Sequence, residues 1–124
     1  MSKGHSPAAL AAGPLVFVSG QVPEAADGEV AEGDAAEQTR QIFRNTSAVL
    51  AEYGAELHDL VKLTYYLRHI TDLAVVQAAV AQLLVPPCRP ASTLVEVSGL
   101  IDTRYLLEID AIAVAPHQGG GREQ

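Results

Sequence analysis

The chain is short of cysteine: Cys88 stands alone among 124 residues. One thiol cannot form an internal disulfide and suits a reducing compartment. Basic residues are also scarce, eight against fifteen acidic ones, for a formal net charge of −7 and a pI near 4.9. The lysines and arginines form no cluster, so neither a nucleic-acid backbone nor an anionic membrane surface is an expected partner. No apolar run approaches the roughly 20 residues that a membrane-spanning helix needs. The opening "MSKGHSPAALAAGP" lacks the apolar segment of a signal peptide, and a cytoplasmic protein is expected.

Hydrophobic residues make up 48% and charged residues 19%, the balance of a folded globular protein. A single domain is expected over residues 1–116, followed by a glycine-rich, polar, disordered tail over 117–124. "LVFV" at 15–18 reads as a strand, and Asp27-Gly28 marks a turn in the polar loop after it. Asp34 and Glu37 have the spacing of a capping box. After them Thr39, Ile42, Phe43, Thr46, Val49, Leu50 and Tyr53 recur at intervals of three and four, one face of a helix that Gly54 would end.

"LVKLTYYL" at 60–67 alternates: Val61, Leu63, Tyr65 and Leu67 fall on one side, Lys62, Thr64 and Tyr66 on the other. Thr71 or Asp72 can cap a second helix whose inner face is Leu73, Val76, Val80 and Leu83, stopped by Pro86 and Pro87. Strands over about 92–97 and 105–114 complete the order strand, helix, strand, helix, strand, strand. That order predicts an α+β layer with both helices on one face of a sheet. The other face then needs a cover, and oligomerisation supplies one.

Few residue groupings point to chemistry. The histidines at 5, 58, 69 and 117 share no metal-ligand spacing, so no metal and no cofactor are expected. His58-Asp59 reads as a solvated turn rather than a base with its orienting acid. "VSGQ" lacks the first glycine of a nucleophile elbow, because Phe17 stands in that place. Ser19-Gly20 is either a plain strand-to-loop turn or a source of backbone N–H groups for an anion. Cys88, beside Arg89, reads as an inert loop thiol. Glu108 and Asp110 stand two apart in the apolar "YLLEIDAIAV" and share a face. Two explanations stay open for them: a solvated sheet edge, or carboxylates that meet a partner or a water-filled cleft.

Five segments together carry a family resemblance: "FVSGQVP" at 17–23, "QTRQIFRNTSAVLAEYGAELHDLVKLTYYL" at 38–67, the helix start "ITDLAVVQ", "PASTLVEV" at 90–97 and "LLEIDAIAV" at 106–114. In this order the chain resembles the Rid family (reactive intermediate deaminase A and relatives, also YjgF/YER057c/UK114). The resemblance implies a chorismate-mutase-like α+β subunit with a mixed sheet, assembled as a homotrimer with ligand clefts between subunits. In the deaminase branch those clefts hydrolyse 2-imino or enamine acids to 2-oxo acids and ammonia. An arginine grips the substrate carboxylate, a glutamate positions or activates water, and the backbone near the "SG" turn helps to hold the substrate.

By position the glutamate is Glu108 and the turn is Ser19-Gly20. The branch reads Pro-Ala-Arg where this chain reads Pro90-Ala91-Ser92, so Ser92 replaces the carboxylate-binding arginine. A cysteine two positions on is Leu94, a cleft asparagine is Gln77, and a tyrosine before the first strand has no counterpart. Arg104, in the loop before the Glu108 strand, could supply a charge to a cleft, whereas Arg89 has Pro90 between it and the strand and reads as a loop charge. A charge-assisted pair is much stronger than a neutral hydrogen bond, so serine is a poor replacement. Three outcomes follow: a cleft enzyme for another imine, enamine or carbonyl-type metabolite; a non-catalytic metabolite-binding or interaction module; or a residual 2-iminoalkanoate deaminase. Ribonuclease activity, proposed for some relatives, is at odds with the acidic balance.

Overall fold

The computed structural model describes residues 6–116. The expected tail over 117–124, and with it His117, lies outside the described residues, as does His5. Four strands and two helices follow in the order β1 Leu15–Gln21, α1 Ala35–Ala51, β2 Leu60–Leu67, α2 Leu73–Leu83, β3 Ala91–Glu96 and β4 Leu107–Val114. Single 3₁₀ turns, Leu57–Asp59 and Ile70–Asp72, precede β2 and α2.

α1 forms where the 3.6-residue period predicts it. Asp34 Oδ1 accepts the Glu37 N–H at 3.0 Å and caps the first turn. The reciprocal half of the capping box is absent, because the Glu37 carboxylate is taken by Arg40 and Arg44. Ile42, Phe43, Thr46 and Leu50 are buried along one face. Tyr53 lies past the helix end and is exposed, a correction to its place on that face. Gly54 has φ +73°, the left-handed conformation that lets the chain leave the helix without a Cβ clash. Asp72 occupies the N-cap position of α2, but its side chain makes no capping hydrogen bond. Val76, Ala79 and Val80 form the buried face of α2, with Leu73 and Leu83 packed at its margin.

The sheet order is β1-β4-β2-β3. β4 runs antiparallel to both β1 and β2, and β3 runs parallel to β2, so the sheet is mixed. Period-two alternation divides its side chains between two faces. Val16, Val18, Leu63, Tyr65, Leu67, Leu107, Ile109, Ala111 and Ala113 are buried with residues of both helices in one core. The α+β class with both helices on one face is therefore as expected. β3 and β4 begin at Ala91 and Leu107, against expected starts of 92 and 105. Tyr105 is spent on a turn contact instead, donating its hydroxyl to Glu24 Oε1.

A buried glutamine ties α1 to the approach of β4. Gln38 is wholly buried. Its Nε2 donates to Ala31 O and Arg104 O, each at 3.0 Å, and its Oε1 accepts the Leu106 N–H at 2.8 Å. Every polar atom of this side chain is thus engaged, which makes its burial tolerable.

Candidate functional site

The uncovered face of the sheet has two ends of different character. At one end Leu15 opposes Val114 and Phe17 opposes Ile112 across β1 and β4. Phe17 is 71% exposed and Leu15 53%, a high exposure for neighbouring large apolar groups. Towards the other end the same face becomes polar: Thr64 opposes Asp110, and Tyr66 opposes Glu108. The Tyr66 hydroxyl donates to Asp110 Oδ2 at 2.9 Å. That hydrogen bond, with the Asp110 and Glu108 charges behind it, raises the tyrosine's pKa. β4 lies inside the sheet, not at its edge, so the solvated-edge explanation for Glu108 and Asp110 does not hold.

Glu108 meets the first strand at a β-bulge. Val18 pairs with Ala111 and Gln21 with Ile109, so β1 carries one extra residue at Ser19–Gly20. A Cβ built at Gly20 would overlap Glu108 Oε2 and stand 2.8 Å from its Cδ. Glycine at this position is what allows a carboxylate to lie across the backbone of the bulge. Ser19 is exposed beside it, and its carbonyl accepts from Gln21 Nε2 at 3.1 Å. The chain therefore brings together Glu108, Ser19 and Gly20, three of the residues expected in a cleft.

The other expected residues lie elsewhere. Ser92 pairs with Leu63 and Leu94 with Tyr65, which places both on the helix-covered face, across the sheet from Glu108. The Ser92 hydroxyl is buried without a hydrogen-bond partner. Gln77, half-buried, belongs to α2 on that same side. Arg104 is held by Asp102 through Nε (3.1 Å) and a terminal nitrogen (2.9 Å). These bonds hold the Asp102 carboxyl down at about 2. Arg89 is exposed in the loop before β3, and its carbonyl accepts from the Ser6 hydroxyl at 2.8 Å.

The remaining groups take structural parts. Cys88 is buried, its thiol donates to Leu57 O at 3.4 Å, and burial raises its pKa, so it is no ready nucleophile. His58 is exposed, 3.6 Å from both Glu56 and Asp59 oxygens, while Asp59 Oδ2 accepts the Glu56 N–H at 2.8 Å. Among the described residues no group of three or more His, Cys, Asp or Glu is placed to hold a metal ion. Nor is any helix among them long and apolar enough to cross a membrane.

Comparison with known proteins agrees with this layout. The family model described as Endoribonuclease L-PSP matches residues 2–115. A RutC family protein of Pyrococcus abyssi is 39% identical over 85% of this chain and 82% of its own. A Yersinia pestis structure described as a conserved Rid family protein of unknown function superposes with a TM-score of 0.80 at 30% identity, covering 90% of this chain and 86% of that one. A Mycobacterium tuberculosis member of the YjgF/YER057c/UK114 family gives 0.71 at 34% identity, covering 85% and 82%. The chain belongs to this Rid (YjgF/YER057c/UK114) family, whose sequence model bears the Endoribonuclease L-PSP description.

Two features near the site were not anticipated from sequence. The Tyr66–Asp110 hydrogen bond joins residues on different strands, and only their shared polar-side alternation hints at it. Arg68, directly after β2, continues the same alternation of Lys62, Thr64 and Tyr66.

Proposed function

We propose that the chain assembles as a cytoplasmic homotrimer that binds a small metabolite in clefts between subunits. There Glu108 positions water against an imine, enamine or carbonyl-type carbon. The observation that carries this reading is the carboxylate of Glu108 lying over Gly20 in the β1 bulge. A water held by that carboxylate gives its proton to Glu108 as its oxygen bonds to the imine carbon. Glu108 returns that proton to nitrogen, which gives a carbinolamine; transfer of the hydroxyl proton to nitrogen then breaks the C–N bond as the C=O bond forms, so imine and water become carbonyl and ammonia.

Two features support a cleft shared between copies. The exposed Leu15 and Phe17 suit burial against other subunits. The Ser92, Leu94 and Gln77 group lies across the sheet from Glu108 within one chain, so a pocket containing both sets draws them from neighbouring subunits. Ser92 supplies no positive charge, so turnover of ordinary 2-imino acids is slow. The ribonuclease in the family description is not carried over, because a net charge of −7 disfavours binding to phosphate backbones.

The test is an imine panel, including freshly generated 2-aminoacrylate, assayed for ammonia and carbonyl product alongside Glu108→Gln. Turnover of at least one imine, reduced about 10²-fold or more by the substitution, is the expected result. Equal turnover by the variant would remove Glu108 from the chemistry. Rapid release of pyruvate from 2-aminoacrylate would overturn the loss assigned to Ser92.

A further inference from the structure

The loop that joins β1 to α1 is held off the helix it crosses. It folds back on itself: Glu24 and Val30 form a β-bridge, the Ala25 N–H donates to Glu29 O at 2.9 Å, and Gly28 turns the chain with φ +87°. Both ends of this fold are tied to α1 by amide side chains. Asn45 Nδ2 donates to Val22 O and Glu24 O, each at 3.0 Å, and Gln38 Nε2 donates to Ala31 O at 3.0 Å. Between these ties, loop and helix frame an open cavity of about 290 Å³. Walls pinned at both ends keep it formed before any ligand arrives, which removes part of the ordering cost of binding.

The lining says what such a ligand must be. Pro23, Ala25, Val30 and Ala31 make the loop wall apolar. On the helix wall, Glu37 and Gln41 are committed to their neighbours. Glu37 accepts from Arg40 and Arg44 at 2.8 and 2.7 Å, while Gln41 accepts from Arg44 at 2.8 Å and donates to Asn45 Oδ1 at 2.9 Å. Glu29 differs: it also lines the cavity, but its carboxylate is exposed and makes no ion pair among the described residues. Residues 24–39 hold no lysine or arginine, so the loop itself offers no cation for it. An anion would face two carboxylates here, and a neutral molecule would leave the Glu29 charge unmatched. A cation with a short apolar body answers both the charge and the wall.

We propose that this cavity is a ligand site for a small primary amine. The ammonium group pairs with Glu29, and the alkyl chain lies against Pro23, Ala25 and Val30. The site is separate from the Glu108 cleft and does not depend on its chemistry. α1 packs on the covered side of the sheet, whereas Glu108 lies on the open face.

The experiment titrates the full chain with n-butylamine at neutral pH by protein-observed NMR, with n-butanol and butyrate as comparison probes. Butylammonium is expected to saturate the protein at or below about 10 mM, shifting amides of residues 25–31 and 37–41. Butanol and butyrate bind at least about fivefold more weakly. Glu29→Gln weakens butylammonium about fivefold or more, and Glu29→Asp recovers part of the loss. Ala25→Leu fills the cavity and removes binding with Glu29 still in place. Glu32→Gln, in the same acidic stretch but outside the lining, leaves binding unchanged. The assignment falls if butylammonium does not saturate, if butanol or butyrate binds as tightly, or if Glu29→Gln binds as the wild type does. It also falls if Glu32→Gln weakens binding as much as Glu29→Gln, which would leave only a diffuse attraction to the acidic loop. Glu29 is exposed, so its substitution decides the matter even where Ala25→Leu fails to fold.

Discussion

The two faces of the one sheet obey the same alternation and reach opposite outcomes. On the helix-covered side Leu63, Leu67, Leu107 and Ala113 are fully enclosed by the chain's own helices. On the other side Phe17 and Leu15 stand largely in solvent, and Tyr66, Asp110 and Glu108 form a polar group beyond them. The covered face accounts for the stability of the subunit. The open face holds two exposed large apolar side chains, an arginine that makes no ion pair among the described residues, and a carboxylate laid over a glycine.

The largest test of that contrast exchanges one residue from each face. Leu107→Ala leaves a cavity in the core and should cost about 2–5 kcal/mol in urea unfolding. Phe17→Ser should leave the subunit's circular dichroism intact while reducing the assembly mass in light scattering. If Phe17→Ser instead unfolded the chain as Leu107→Ala does, the open face would belong to the subunit core. Next comes Gly20→Ala, which drives a methyl into the Glu108 carboxylate. Imine turnover should fall roughly 10²-fold through misplacement of that group. Unchanged turnover would show that the Glu108–Gly20 contact has no catalytic weight.

Smaller effects belong to the polar ties on the helix side and in the loops. Gln38→Leu strands the Leu106 N–H and should cost about 1–3 kcal/mol, read from the unfolding midpoint. Tyr105→Phe removes the hydroxyl bonded to Glu24 and should cost about 1 kcal/mol. That bond pushes the Tyr105 pKa from near 10 up to about 12. A raised folded-state pKa stabilises below the unfolded value and loses its contribution as pH rises towards the folded one. The stability advantage of wild type over Tyr105→Phe should therefore be constant below pH 10 and shrink between 10 and about 12. A difference that grew with pH would mean that Glu24 is not its acceptor.

Much of the fold could be read along the chain because its signals are local. The run Ile42, Phe43, Thr46, Leu50 repeats at helical spacing, and Asp34 stands where an N-cap must. The alternation from Lys62 to Leu67 separates the two faces of β2. Glu108 and Asp110 sharing a face follows from their spacing of two. Other features were out of reach of any local pattern. Asp110 could not be matched with Tyr66 before the β2–β4 register was known. Ser92 and Leu94 were expected to shape an intersubunit pocket with Glu108, and only the parallel β2–β3 pairing shows that within one chain they lie on the opposite face from it. Arg104 had the reach to serve a cleft but is held by Asp102, two residues away. Arg68 went unnoticed because its interest lies in an enclosed Nε–H without an acceptor among the described residues, which spacing does not reveal.

The residues in order were enough for the helices, the strand alternation, the acidic balance and, through five matching segments, the family. Those depend on periodicity and composition, which are properties of neighbours in the chain. The meeting of Glu108 with Gly20, the separation of Ser92 from both, and the isolation of Arg68 came only with the folded sheet. Each depends on strand register, and a one-residue bulge at Ser19–Gly20 is enough to decide which carboxylate lies over which backbone.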